Sequence, residues 1–273
     1  MRKIITLVAL NVSLIAAAQV ATNNTTASGL YSTAIGNQTV ASGNKSTAMG
    51  QQTEAYGENS TAMGFQSFAG GDSAVAIGRG SSADGYAAFA GGQNSDASGF
   101  RAIAMGYLTE ASGTESAAIG NQTVASGLRS FAVGSSAKAS GNYSTALGID
   151  TFSSGIASTA FGNLAIASAN ESTAFGYDTA ASGLRSTAFG YKTISSGISS
   201  TSVGSVTEAS GDASTSMGSG TQASGDASTA MGQGSVASGN FSTAMGINTL
   251  SNGQGSTSMG SSTVASGLDS TAM

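Results

Sequence analysis

Residues 27–40 read ASGLYSTAIGNQTV, and residues 41–54 follow as ASGNKSTAMGQQTE, with no insertion or deletion between them. The same fourteen-residue unit, close to A-S-G-x-x-S-T-A-(bulky apolar)-G-x-x-T-x, continues to the last residue, Met273. One glycine column runs from Gly36 through Gly50 and Gly64 to Gly260 without a break. The other runs from Gly29 to Gly267 and is interrupted once, by Ala169. An ordinary globular domain has elements of unequal length and does not need such register. A stacked coil does, because each turn must sit on an identical neighbour.

Reading one unit by columns gives its local structure. Ser32-Thr33-Ala34-Ile35 is expected to form a short strand ending at Gly36, and Thr39-Val40-Ala41 a second. Alternate residues of a strand share a face, so Thr33 and Ile35 point one way and Ser32 and Ala34 the other. The Ile35 column holds Ile, Met, Val, Leu or Phe in every unit except at Gly91, and includes eight of the nine Met. Phe161, Phe175 and Phe189 in this column read as core. Where Gly91 removes the bulk, Phe89 replaces the usual Thr two positions earlier, which keeps the volume on the same face. The Ala34 and Ala41 columns accept only Ala or Ser and meet a narrow space. The Val40 column, with Glu54, Asp96, Lys138 and Gln222, reads as solvated, and the residues after each glycine read as loops.

Composition narrows the class. The chain has 273 residues, forty Gly and no Pro. Pro cannot donate to a ladder, so its absence suits continuous sheet. Cys and His are also absent, which removes disulfides, thiolate metal sites and the commonest general base. Charged residues make up 8%, with a net charge of −5, unlike the basic surfaces that neutralise nucleic-acid phosphates. At the start, Arg2 and Lys3 precede an apolar run from Ile4 to Ile15 and then Ala16-Ala17-Ala18 before Gln19. This is the pattern of a secretory signal peptide, too short to span a membrane as a helix. The expected organisation is a signal peptide over 1–18, a lead-in over 19–26 and repeats over 27–273. Nothing later in the chain could cross a membrane.

The recurring S-T-A-x-G-x-x-T-x-A-x-G resembles the head repeat of trimeric autotransporter adhesins, the YadA-like or haemagglutinin-type repeat, whose usual core is S-V-A-I-G. The closest copy is Ala74-Val75-Ala76-Ile77-Gly78, and most units carry Thr in place of the Val, as at Thr33, Thr47 and Thr61. The resemblance covers residues 27–273. It implies an all-β, left-handed parallel β-roll, a solenoid with two short strands per coil. It also implies a homotrimer displayed on a bacterial outer surface for attachment. A charged neck, a heptad stalk and C-terminal barrel strands do not appear, so the chain reads as a fragment, with membrane attachment only through an anchor it lacks.

No catalytic constellation emerges. Each Ser is explained by repetition and has no His beside it, and the glycine columns never form a phosphate loop. Asp212 and Asp226 occupy one column a coil apart, close enough to share a cation or to stand as two solvated charges. The expectation is a non-enzymatic protein without cofactor or metal. Its binding contacts, to extracellular matrix, cell surfaces or abiotic surfaces, would be variable loop residues: Tyr177, Tyr191, Arg129 and Arg185. Two other readings stand beside the adhesin: a passive structural fibre or spacer, and an ice-binding β-solenoid using the Thr33 and Thr39 columns. The Gly36 column should have positive φ or lie against backbone, with the Gly29 column less strict. The Ile35 column should form an outer ridge that becomes the shared core of a parallel trimer.

Overall fold

The structure, a computed structural model, describes residues 23–273 and falls into two compact units, one through Asn121 and one from Gln122 to Met273. The signal-peptide reading of 1–18 lies outside the described residues. Each unit is a parallel β-solenoid. A five-residue strand alternates with a two-residue strand, as in Thr33–Asn37, Val40–Ala41, Thr47–Gln51 and Glu54–Ala55 of the first unit. Every strand pairs in parallel with its equivalent one coil away: Thr33 opposite Thr47, Ile35 opposite Met49, Val40 opposite Glu54. In the second unit Phe161 stands opposite Phe175, and Phe175 opposite Phe189. Parallel strands need a connection of a dozen or so residues, and the rest of each coil supplies it. Two parallel sheets result in each unit, back to back.

The space between the sheets takes only small side chains. Ala48, Ala62, Ala41 and Ala55 have no exposed surface, and the largest fully buried side chains are threonines such as Thr39 and Thr53. Ser46 and Ser60 are equally buried. The face assignment read from alternation therefore holds, with Ser32 and Ala34 columns inward and Thr33 and Ile35 columns outward. Phe161, Phe175 and Phe189 are not core of this chain. They stand on the outer face at 42%, 39% and 48% exposure, because the interior is too thin for a ring. The Thr39 column is inside the roll, which removes one of the two threonine arrays that an ice-binding surface would use.

The two glycine columns do different things. Gly36 lies within the strand Thr33–Asn37, not in a turn, and has φ 136°. A β-carbon at Gly148 of this column (φ 131°) would run into the carbonyl oxygen of Gly162 in the next coil. The Gly29 column has no left-handed φ, but it is closed in space. A β-carbon on Gly141 would meet the carbonyl oxygen of Gly155. Ala169, the one residue of this column with a β-carbon, is half-buried where Gly155 and Gly183 on either side are buried.

Most turns place a residue other than glycine in the left-handed region, although Gly80, Gly220, Gly234 and Gly255 stand at the same positions with φ of 63–66°. Gln38, Lys45, Leu108, Val206 and Phe241 all have φ between 51° and 60°, a region that costs an L-residue roughly 1–2 kcal/mol and that β-branched residues rarely enter. Backbone hydrogen bonds between coils compensate. Lys45 N–H donates to the Leu30 carbonyl at 2.7 Å, and Gln52 N–H to the Asn37 carbonyl at 2.8 Å. Ser46 N–H closes the turn onto the Gly43 carbonyl at 3.2 Å.

Interior hydroxyls are paired only in some coils. Where Ser replaces an inner Ala, as at Ser153 and Ser195, its hydroxyl meets that of Ser158 at 2.6 Å and Ser200 at 2.7 Å. In coils that keep Ala, the buried Ser60 and Thr53 hydroxyls have no partner. Replacing Ala55, which occupies the Ser153 position beside Ser60, with Ser should raise unfolding stability by about 1 kcal/mol in denaturant titrations. Gly148→Ala should cost about 3 kcal/mol or more in the same assay. Gly220→Ala should cost only about 1 kcal/mol, because Gly220 has φ 64° but nothing within 4 Å of an added β-carbon.

Candidate functional site

The outer face of the five-residue sheet carries the bulky column. Ile77 and Met105 are 40% and 43% exposed, and Met217, Met245 and Met259 are exposed to a similar degree. A shallow, almost wholly apolar depression on this face is lined by Val133, Leu147, Ile149 and Phe161. Beside it the three phenylalanines stack along the coils. Their centroids are 4.7 Å apart for Phe161 and Phe175 and 4.8 Å for Phe175 and Phe189, with planes within 8° of parallel. Stacked rings cover one another's faces and turn their edges outward. Such a ladder is suited to packing against apolar side chains rather than to receiving a flat ligand on a ring face. The neighbouring Thr159 and Thr173 are half-buried on the same side.

The four residues singled out from the sequence do not converge. Tyr177 and Tyr191 are the last residues of the strands Thr173–Tyr177 and Thr187–Tyr191, rather than loop residues, and face each other in register. Their rings stack at 5.3 Å with planes 11° apart, and Lys192 Nζ lies 5.7 Å from the Tyr191 ring centre. Arg129 and Arg185 belong to the other turn of the coil, each in the left-handed position with φ 53° and 58°. Arg185 Nε is 3.4 Å from the Glu171 carboxylate. The Arg129 guanidinium sits 5.9 Å over the ring of Tyr143, the next residue of its own column. The tyrosines therefore form one small surface, and the two arginines are tied up separately.

A second aromatic corner escaped the sequence reading. Tyr86 and Phe100 stack at 5.3 Å, Arg101 lies 4.8 Å over Phe100, and its guanidinium is 3.7 Å from the Glu115 carboxylate. The signal was available, since Tyr86 and Phe100 follow successive glycines of one column just as Tyr177 and Tyr191 do. On the outer side of the short-strand sheet, Asp96 pairs with Glu110. Partial burial and then the nearby Asp84 and Glu110 carboxylates raise its pKa above the usual value. Tyr56 is raised as well, first by its hydrogen bond to Glu54.

Asp212 and Asp226 have another use than sharing a cation. Asp212 Oδ1 accepts the Ile198 N–H at 2.8 Å, Asp226 Oδ1 accepts the Asp212 N–H at 3.1 Å, and Asn240 Oδ1 accepts the Asp226 N–H at 3.0 Å. Asn44, Asp72, Asn142 and Asn170 do the same for the coil before them. Wherever this column carries Asn or Asp the side-chain Oδ1 bonds turn backbone of the preceding coil, and one oxygen of each carboxylate is engaged there. Asp212→Asn should leave stability nearly unchanged, whereas Asp212→Ala should lower it by about 1 kcal/mol. Calcium should not shift the melting temperature of the unaltered chain. A calcium-dependent shift abolished by Asp212→Asn would restore the cation reading.

Among the described residues no group of three or more acidic, His or Cys side chains is placed to hold a metal ion, and no helix is long and apolar enough to cross a membrane. No curated protein matches the chain. The sequence model of the family described as YadA head domain repeat (2 copies) matches in successive, partly overlapping segments, from 23–39 and 27–53 through to 223–249 and 251–273. With its repeats covered from residue 23 to the last and the parallel solenoid they build, the chain belongs to the YadA head-repeat family.

Proposed function

We propose that this chain is the head of a trimeric autotransporter adhesin. It would act at the bacterial surface, without catalytic turnover, by presenting a repetitive rigid surface to matrix, cells or abiotic material. The observation that carries the reading is the uncovered outer face of the five-residue sheet. Parallel sheets are ordinarily covered on both faces, and here the inner face packs on Ala, Ser and Thr while Ile, Met and Phe stand outside. An apolar face repeated in every coil marks an interface. A partner matching it rung for rung must repeat at the same axial spacing, about 4.8 Å per strand, and a parallel copy of the chain does so with a face of the same chemistry. Three parallel copies would share the Ile35 column as a common core, leaving the Tyr177–Tyr191 and Tyr86–Phe100 corners as candidate contacts for a ligand.

A passive spacer is the alternative. It is favoured by the dispersal of the exposed polar and aromatic groups, since Arg129, Arg185 and the tyrosine pair do not form one site.

Sedimentation of residues 19–273 at micromolar concentration is expected to give a trimer, and a stable monomer would refute the assembly. Immobilised matrix proteins, host cells and plain polystyrene should each be tested with the trimer. Binding that falls several-fold in Tyr177→Ala/Tyr191→Ala supports the adhesin with that corner as contact. Absence of binding to all three supports the spacer.

A further inference from the structure

A trimer built from near-identical coils has a register problem. Sliding one copy by a whole coil still sets apolar side chain against apolar side chain at every overlapping rung except those at Gly91, and forfeits only the end rungs. Periodic interfaces are held in register by a local irregularity that matches only itself. One coil of this chain carries such an irregularity. Gly91 takes the place of the bulky residue between Ile77 and Met105, its register partners in the adjoining coils. The bulk is not lost but moved along the strand. The Phe89 ring lies over Gly91, with Cε1 2.9 Å and Cζ 3.4 Å from where a Gly91 β-carbon would be. Phe89 is half-buried, and its own register partners are Val75 and Ile103. The ridge therefore has a step at this rung, with a ring rooted two residues before the column and no side chain in the column itself.

The geometry points to Phe89 and Gly91 as the residues that set the register of the copies in the assembly, an inference that rests on the trimer proposed above. In register, all three steps share one level, and each ring meets the same shape on its neighbours. After a slip of one coil, each step faces a full Ile77 or Met105 rung. One side of that contact is then overfilled and the other left with a void, and packed interfaces tolerate neither. Three phenylalanines in succession at 161, 175 and 189 discriminate less, because a one-coil slip still overlays two of them.

The absence of cysteine allows a direct test. Met217 and Met245 both lie on the exposed ridge, two coils apart, which is about 9.6 Å along the stack at about 4.8 Å per strand. That separation exceeds the roughly 7 Å Cα limit for a disulfide. Chains of residues 19–273 carrying Met217→Cys and Met245→Cys are unfolded together, refolded, oxidised and digested for mass spectrometry. With the native step, 217–217 and 245–245 bridges are expected and 217–245 bridges should be near background. With Phe89→Thr and Gly91→Met, which restores the common coil, 217–245 bridges should rise at least tenfold while sedimentation still shows a trimer. Adding Thr229→Phe and Met231→Gly to that variant rebuilds the step elsewhere and should suppress the mixed bridges again. Mixed bridges that are equally rare or equally common with and without the step would overturn the inference, as would failure of the transplanted step to suppress them. A monomeric native chain with no ridge disulfides would instead overturn the assembly on which the inference rests.

Discussion

Backbone meets backbone too closely for a β-carbon at two places in nearly every coil, and the rest of the architecture follows from that contact. In the Gly36 column the obstruction is the carbonyl oxygen of the next glycine of the same column, and the Gly29 column is closed in the same way. Coils that touch through bare backbone have no freedom of pitch, so each must have the same length. The strict fourteen-residue register is the sequence's record of that steric condition. Gly36 and its equivalents add a φ of about 108–136°, which L-residues rarely adopt.

Such close stacking leaves the two sheets little space between them. Ala, Ser and Thr fill it, and together they bury far less apolar surface per residue than an ordinary core. The large apolar side chains are displaced to the outside of the roll, where they give the proposed association of copies a physical basis. A chain whose interior excludes Met and Phe can bury them only against a neighbour. Interior hydroxyls raise a further cost, met in some coils by a second Ser within hydrogen-bond distance, as at Ser153–Ser158 and Ser195–Ser200.

Much of this was legible in the residues. The repeat pointed to the solenoid, strand alternation separated the two faces, and Phe89 compensating Gly91 put those two positions on one face. The turns were not legible. Positive φ was expected in the Gly36 column and is found there, but it also recurs at Lys45, Leu108 and Val206. Their strain is offset by bonds to the preceding coil that no single unit reveals. The purpose of the Asx column was equally hidden, because Asp212 and Asp226 look like free surface charges until the turn amides are placed against them. The phenylalanines read as core because a clean apolar column normally means burial, and only the width of the interior decides otherwise. Among the candidate contacts, the tyrosine pair was visible from its spacing. That Arg129 and Arg185 sit at another corner depended on which turn each column occupies.

Within each unit, a coil bonds only to the coil before it and the coil after it. This has a genetic consequence. Unequal recombination between the repeats of such a gene removes or duplicates whole coils, and every surviving coil keeps a neighbour of the shape it had. Alleles of different length can then arise without passing through an unfolded intermediate. A change of a few residues within one coil has no such tolerance and would break the stack at that point. Length is thus the property of this architecture that can vary most freely, and a longer stack carries its far end further from wherever the near end is held.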